Sequence, residues 1–151
     1  MVRTAFEISE AFRVPVILRP AIRVCHARQS LLPGTIEQAG GKASFKKDPA
    51  RWAATPRFRL ALHGELNRKL SELAKRFETL HDYNFHTLAP GREYPLGIIA
   101  AGVPYSVVHD LLQEEERTDI PVLKIGTPFP FPGGLAREML SLHARDAEAA
   151  A

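Results

Sequence analysis

Residues 96–126 carry a strand–helix–strand pattern that narrows the possible folds more than any other part of the chain. The run 96–102 is apolar and ends in a glycine turn, residues 103–116 have the period of a helix, and 121–126 is a second apolar run. Two strands joined by a helix within about thirty residues predict a parallel pair with a right-handed crossover. The helix residues predicted to face inward are Val107, Val108, Leu111 and Leu112. We therefore predict an α/β fold.

The N-terminal residues predict a helix that is followed directly by a buried strand. Ala5, Ile8 and Phe12 fall on one face of a helix over 4–12. Residues 14–18 form a short apolar run of the kind found in strands that are buried on both faces. Because a parallel strand needs a neighbour and no strand precedes this helix, we expect the chain to begin within a domain.

A long amphipathic helix is predicted over residues 57–80. Its apolar residues recur at spacings of four and three and form one stripe. The stripe consists of Leu62, Leu66, Leu70, Leu73, Phe77 and Leu80. Both a coiled-coil seam and a surface helix packed on a sheet or a second subunit fit this pattern. Residues 19–56 have weak periodicity, which indicates a functional loop or an interdomain connection. A proline-rich loop at 127–134 and a last helix at 135–145 complete the prediction.

Composition excludes several classes of protein. The apolar share of 45% and charged share of 25% are those of a globular chain, and the longest apolar run is too short to span a bilayer. The net charge of +3 comes from bases that alternate with acids, so nucleic-acid binding is not expected. One cysteine excludes an internal disulfide and, with no signal peptide, favours the cytoplasm.

The candidate chemistry is sparse. The six histidines have no spacing that places two of them on one metal ion, and we expect His81 and His86 to be solvated. Gly97 and Gly102 precede a predicted helix start, where either an anion site or a tight turn would explain them. We expect Cys25 to be a small, partly buried residue rather than a nucleophile.

A basic cluster follows the first predicted strand, at the end where α/β proteins place ligand loops. It consists of Arg19, Arg23, His26 and Arg28. Arginine binds a carboxylate through two parallel hydrogen bonds, which favours an acidic ligand. A solvated or subunit-facing basic loop is the alternative.

Taken in order, these segments resemble the large (alpha) subunit of the indolepyruvate:ferredoxin oxidoreductases. The residues that carry the resemblance are AFEISE at 5–10, VPVILR at 14–19, RVCHAR at 23–28, Arg51-Trp52, Arg57, LHGELN at 62–67, LGIIAAGVPY at 96–105 and VLKIGTPFP at 122–130. The resemblance implies the end of a thiamine pyrimidine-binding domain at 1–30 and a connecting loop with a long helix at 31–92. It further implies a partial transketolase-C-terminal-like domain at 93–145 and a tail at 146–151.

The family's activity follows from the same resemblance. Its members oxidatively decarboxylate aryl pyruvates to acyl-CoA with thiamine diphosphate, magnesium and 4Fe-4S clusters, and they pass electrons to ferredoxin. A smaller beta subunit completes the complex.

This chain departs from the family pattern in what it lacks. The activating glutamate region, the pyrophosphate domain with its magnesium-binding residues and the cluster module are missing, and one cysteine cannot replace four thiolates. We therefore expect an internal fragment from a truncated or split gene, with no catalytic residues and no cofactor bound by this chain alone. Arg23 and His26 match a family segment near the substrate side, so they are candidates for contacting the substrate carboxylate or a neighbouring subunit.

The expected partners are the remaining parts of the alpha subunit or the smaller beta subunit. Two incomplete sheets would leave exposed edges and apolar faces, so we also expect poor solubility or obligate association in an oligomer. A non-catalytic interaction and assembly module of an oxidoreductase complex is the alternative function.

Overall fold

The structure is a computed structural model that describes residues 1–35, 44–53 and 55–149. Its elements in chain order are α1 (Val2–Phe12), α2 (Ile22–His26), α3 (Pro49–Trp52), α4 (Pro56–Glu78), β1 (Asn84–His86), β2 (Ile98–Ala101), α5 (Gly102–Glu114), β3 (Val122–Ile125) and α6 (Gly133–Ala149). The chain divides into two units. The first contains Met1–Arg19 with Arg68–Ala151, and the second is Pro20–Asn67.

A small mixed sheet organises the first unit, with the strand order β1-β3-β2. Strands β2 and β3 are parallel, with Ile98 opposite Val122, and α5 connects them, which confirms the predicted strand–helix–strand unit. Strand β1 was not predicted, and it runs antiparallel to β3 with Asn84 opposite Ile125. The sheet is therefore mixed rather than purely parallel. The sequence did not predict β1 because three residues are too few to show the two-residue period of a strand.

The core lies between β3 and α6. Leu123 is completely buried and Ile125 nearly so, and both pack against apolar residues on one side of α6. Those residues are Leu135, Ala136 and Met139. Helix α6 continues to Ala149, beyond the predicted end at 145, since the alanines there have high helix propensity.

Helix α5 packs beside β2 and β3 but has no fully buried residue. It begins at Gly102, whose φ of +58° is easily adopted only by glycine. Val108 and Leu112 are half-buried as predicted, whereas Val107 and Leu111 are each 53% exposed, so the prediction that they face inward was wrong. One residue along a helix turns a side chain by about 100°, which places these two away from the sheet.

The N-terminal prediction was right for the helix and wrong for the strand. Helix α1 forms, but residues 14–18 are not in a strand, and the side chain of Ile17 is 87% exposed. Pro15 lacks an N–H, and a short run without a neighbouring strand cannot satisfy its backbone through a sheet. Instead the Ser9 hydroxyl donates a hydrogen bond of 2.8 Å to the carbonyl of Val14.

The long predicted helix is confirmed as α4, in which Leu73 and Phe77 are buried. The weakly periodic stretch before it contains the short helices α2 and α3. Asp48 caps α3 by accepting a hydrogen bond of 3.3 Å from the N–H of Arg51. None of the helices among the described residues is long and apolar enough to cross a membrane.

Candidate functional site

The carboxyl ends of β2 and β3 define the edge of the sheet at which α/β proteins commonly bind ligands. At this edge β2 leads into α5, and β3 leads through Gly126 into the proline-rich loop before α6. The first residue of β1, Asn84, lies at the same edge because it is opposite Ile125, the last residue of β3.

Asn84 is completely buried and uses its whole amide group within the protein. Its Nδ2 donates to the carbonyl of Phe77 (2.8 Å) and to Oγ1 of Thr127 (2.7 Å). Its Oδ1 accepts from the N–H groups of Gly126 (2.9 Å) and Thr127 (3.1 Å). Four hydrogen bonds saturate a primary amide, so this residue holds the end of α4 to the loop after β3 rather than binding a ligand.

Two close approaches keep that loop in place. A Cβ atom added at Gly126 would lie 2.7 Å from the backbone oxygen of Tyr83, so only glycine fits there without a shift. At the start of α6, the carboxylate of Glu78 accepts a hydrogen bond of 2.8 Å from the N–H of Gly134. A negative charge at a helix N-terminus stabilises the helix.

Lys124 and aromatic rings form a second cluster, on the side of the sheet that α5 covers. The Lys124 ammonium lies 5.2 Å from the ring centre of Phe85 and 4.9 Å from that of Tyr105. The two rings pack edge to face, and His109 stacks beside Tyr105. The ion pairs within the described part of the chain do not include Lys124, so ring faces rather than a carboxylate hold its charge.

His86 differs from its predicted solvated state. It lies in β1, its side chain is 23% exposed, and its Nε2 lies 3.4 Å from a carboxylate oxygen of Glu138 in α6. Its Nδ1 is buried without a hydrogen-bond partner among the described residues. The prediction was wrong because it did not include β1, which places His86 opposite the buried Leu123.

The predicted substrate-binding residues, Arg23 and His26, both lie in α2 and are exposed. A spacing of three places them on neighbouring positions of one helix side. Cys25 is also exposed, which corrects the expectation that it is partly buried. The contact of Arg23 and His26 with substrate stays a prediction.

Three ionisable groups have shifted pKa values, namely Tyr83 and the paired Arg117 and Asp119. Two hydrogen bonds from Arg117, of 2.7 and 2.8 Å, lower the pKa of Asp119 to about 2. The pKa of Tyr83 is lowered by hydrogen bonds to the amino terminus and to the hydroxyl of Thr4, which lies 3.0 Å away. The Arg117–Asp119 pair is local in sequence, and the Tyr83–Thr4 bond joins α1 to the segment before β1.

An apolar groove of about 240 Å³ lies between β2 and α5. It is lined by Ile98, Val108, Leu111, Leu112, Glu115 and Arg117. Within the described ranges, no group of three histidine, cysteine or acidic side chains is arranged to hold a metal ion. The described geometry therefore contains well-ordered structural contacts and an apolar surface rather than a set of reacting groups.

Sequence reasoning missed Asn84, Lys124 and the aromatic cluster. The one available signal was the sequence Tyr83-Asn84-Phe85-His86-Thr87, which contains two aromatic residues and a β-branched residue suited to a strand.

The chain is similar in sequence to subunits of known oxidoreductases. It is 39% identical over 137 residues to indolepyruvate oxidoreductase subunit IorA of Methanothermobacter marburgensis, covering 91% of this chain and 22% of that protein. It is 36% identical over 140 residues to the IorA subunit of Thermococcus kodakarensis, covering 89% and 21%. The IorA subunit of Archaeoglobus fulgidus is 28% identical over 140 residues, covering 92% and 22%. No protein-family model matches the chain. No solved structure matches it either.

The chain is thus a relative of the indolepyruvate oxidoreductases. Within that class it is homologous to subunit IorA over about nine-tenths of its length, which confirms the resemblance seen in its motifs. It spans about a fifth of the length of the curated relatives it matches.

Proposed function

We propose that this chain is one part of a thiamine-dependent indolepyruvate (aryl pyruvate):ferredoxin oxidoreductase that oxidatively decarboxylates 2-oxoacids to acyl-CoA. The observation that carries the proposal is the match to IorA subunits along nearly the whole chain. The chain acts only within the larger enzyme and has no turnover by itself, because the described residues include no catalytic set.

The exposed surface supports a role inside a larger assembly. The described residues leave many large apolar side chains accessible to water, among them Ile17, Leu60 and Val107. Burial of such surface against other polypeptide is the usual source of stability in obligate complexes.

The cofactors of the proposed enzyme do not fit the residues of this chain. A 4Fe-4S cluster requires four thiolates, and the sequence has one cysteine. The described residues likewise offer no group of ligands for magnesium. We therefore assign thiamine diphosphate, magnesium and the clusters to parts of the enzyme outside this sequence, with ferredoxin as the electron acceptor.

The partners in this proposal are the remaining parts of the alpha subunit or the smaller beta subunit. Arg23 and His26 then contact either the substrate carboxylate or a neighbouring subunit, since both are exposed on one short helix. Arginine is suited to the carboxylate of a 2-oxoacid because its guanidinium forms paired hydrogen bonds with it.

The proposal is tested in the organism that encodes the chain. The full chain is tagged at its own locus, the complex is captured, and indolepyruvate-dependent reduction of a viologen dye is measured in the presence of CoA. We expect activity in the complex and none in the full chain produced alone. Activity of the chain by itself, or a captured complex that does not oxidise indolepyruvate, would contradict the proposal.

A non-catalytic assembly module is the second candidate, favoured by the absence of a reacting set among the described residues. Arg23→Ala and Arg23→Lys in the tagged chain distinguish a substrate contact of this residue from a contact with a neighbouring subunit. A substrate contact predicts that the alanine variant raises the KM for indolepyruvate more than the lysine variant does, with kcat less affected. A contact with a neighbouring subunit predicts an unchanged KM in both variants.

A further inference from the structure

We propose that the free edge of β2 and the outer face of α5 form one docking surface. Its occupant is the rest of an IorA-like subunit, which adds a strand to β2 and packs against α5. This inference rests on the proposed function and names the contact through which the chain joins the enzyme.

Strand β2 has a free edge in the described part of the sheet, because β3 is its one strand neighbour there. The N–H of Ile98 donates a bond of 2.9 Å to the carbonyl of Pro121 on the β3 side. Backbone groups alternate in direction along a parallel strand, so the N–H and C=O of Ile99 point to the free edge. An edge of this kind is a template for an added strand.

The outer face of α5 continues this surface. Val103, Val107 and Leu111 follow one another at spacings of four and form a stripe. Their side chains are 56%, 53% and 53% exposed. The other side of the helix packs on the sheet through half-buried residues such as Tyr105 and Leu112. A helix that is apolar on two sides is characteristic of a helix packed between two layers.

The apolar groove joins the edge to the stripe, since Ile98 of β2 and Leu111 of α5 both line it. The side chain of Ile99, on the opposite face of the sheet, is 43% exposed. Apolar surface therefore continues from the edge of β2 onto α5. An occupant that adds a strand to β2 can cover this surface with an apolar segment next to that strand.

The length of the relatives identifies the occupant. The matched stretch is 22% of the IorA subunit of Methanothermobacter marburgensis, so the other 78% of that subunit is available to cover this surface. A second copy of this chain is the competing occupant, and the experiment distinguishes the two.

The experiment uses thiol labelling of the full chain with Cys25→Ser, so that each variant has one cysteine. Val107→Cys reports on the outer stripe of α5. Gln113→Cys is the matched control, because it is exposed on a polar flank of the same helix. Each is labelled with N-ethylmaleimide in the isolated chain and in the tagged complex that oxidises indolepyruvate.

We expect the Val107→Cys thiol to react at least about tenfold more slowly in the complex, because it is reached only when the interface opens. The control thiol should react at a similar rate in both samples. Equal labelling of Val107→Cys in both samples would overturn the surface while leaving the proposed function intact. If the Val107→Cys thiol of the isolated chain is labelled more slowly as the protein concentration rises, the occupant is a second copy and our assignment of the occupant is wrong. A protected thiol in a complex without indolepyruvate oxidation would contradict the proposed function and leave the surface intact.

Discussion

The two helices that flank the sheet differ in how far their apolar residues are buried. Helix α6 packs Leu135, Ala136 and Met139 against Leu123 and Ile125, and all five are at least about nine-tenths buried. Helix α5 has no fully buried residue, and its outer stripe is more than half exposed. We call these the closed side and the open side of the sheet.

The difference shows which contacts the chain completes by itself. On the closed side the hydrophobic stabilisation is already gained in the chain, since burial removes apolar surface from water. On the open side apolar surface remains exposed among the described residues, and we propose that the rest of an IorA-like subunit buries it. A chain that matches a fifth of an IorA subunit is expected to show this pattern.

The largest expected effect lies in the centre of the closed side. Leu123→Ala should lower the free energy of unfolding by about 2–5 kcal/mol, because it removes a completely buried side chain and leaves a cavity. Val107→Ala on the open side is the matched control and should cost less than about 0.5 kcal/mol in the isolated chain. Urea unfolding followed by far-ultraviolet circular dichroism measures both. Equal costs for the two variants would remove the distinction between the sides.

Asn84 tests the polar contacts that hold the closed side together. Asn84→Ala should cost about 2–4 kcal/mol, because two backbone N–H groups and one carbonyl lose their buried partner. Asn84→Asp keeps the acceptor for Gly126 and Thr127 but loses the donor to Phe77, so the two variants report on different bonds. The same urea experiment applies, and an alanine variant as stable as the parent would show that the amide is dispensable.

Gly126 in the loop after β3 and Gly134 in the first turn of α6 sharpen the comparison further. Gly126→Ala should cost about 1–3 kcal/mol, because the new methyl group would meet the backbone of Tyr83. Gly134→Ala brings a methyl group equally close to Glu78, but to the end of a flexible side chain that can move. Thermal unfolding should therefore show a larger decrease in Tm for Gly126→Ala. A larger decrease for Gly134→Ala would contradict this description of the loop.

The smallest effect concerns the rim of the groove on the open side. The ion pair with Arg117 lowers the pKa of Asp119 to about 2, below its ordinary value of 3.8. The folded state therefore favours the carboxylate, and the resulting stabilisation is present above pH 4 and is lost as the pH falls towards 2. Asp119→Asn should lower Tm slightly at pH 6 and leave it unchanged near pH 2. A difference between the proteins that does not depend on pH would contradict the ion pair.

The sequence was sufficient to predict helices long enough to repeat their apolar pattern several times, and strands that pair with a segment nearby in the chain. The helix α4, the parallel pair β2 and β3, and the helix between them were all predicted from their patterns. Strand β1 was missed, because its pairing with β3 is a long-range contact that a three-residue segment does not show. The exposed run at 14–18 was predicted as a strand, because apolar residues in sequence do not reveal whether a partner is present.

The candidate site was less predictable than the fold. The family resemblance was visible in ordered motifs and was confirmed. By contrast, the bond from Gly126 to Asn84 and the contact of Lys124 with Phe85 join residues about forty positions apart. Val107 and Leu111 were assigned to a core because they are apolar. The structure shows that they form part of the open side.

Deletion of the gene is the most direct test of our central proposal, that the chain is one part of an indolepyruvate oxidoreductase. The gene is deleted in the organism that encodes it, and indolepyruvate-dependent dye reduction is measured in extracts with and without the restored full chain. Our account predicts that the deletion abolishes this activity and that the restored chain returns it. Undiminished activity in the deletion strain would contradict the account.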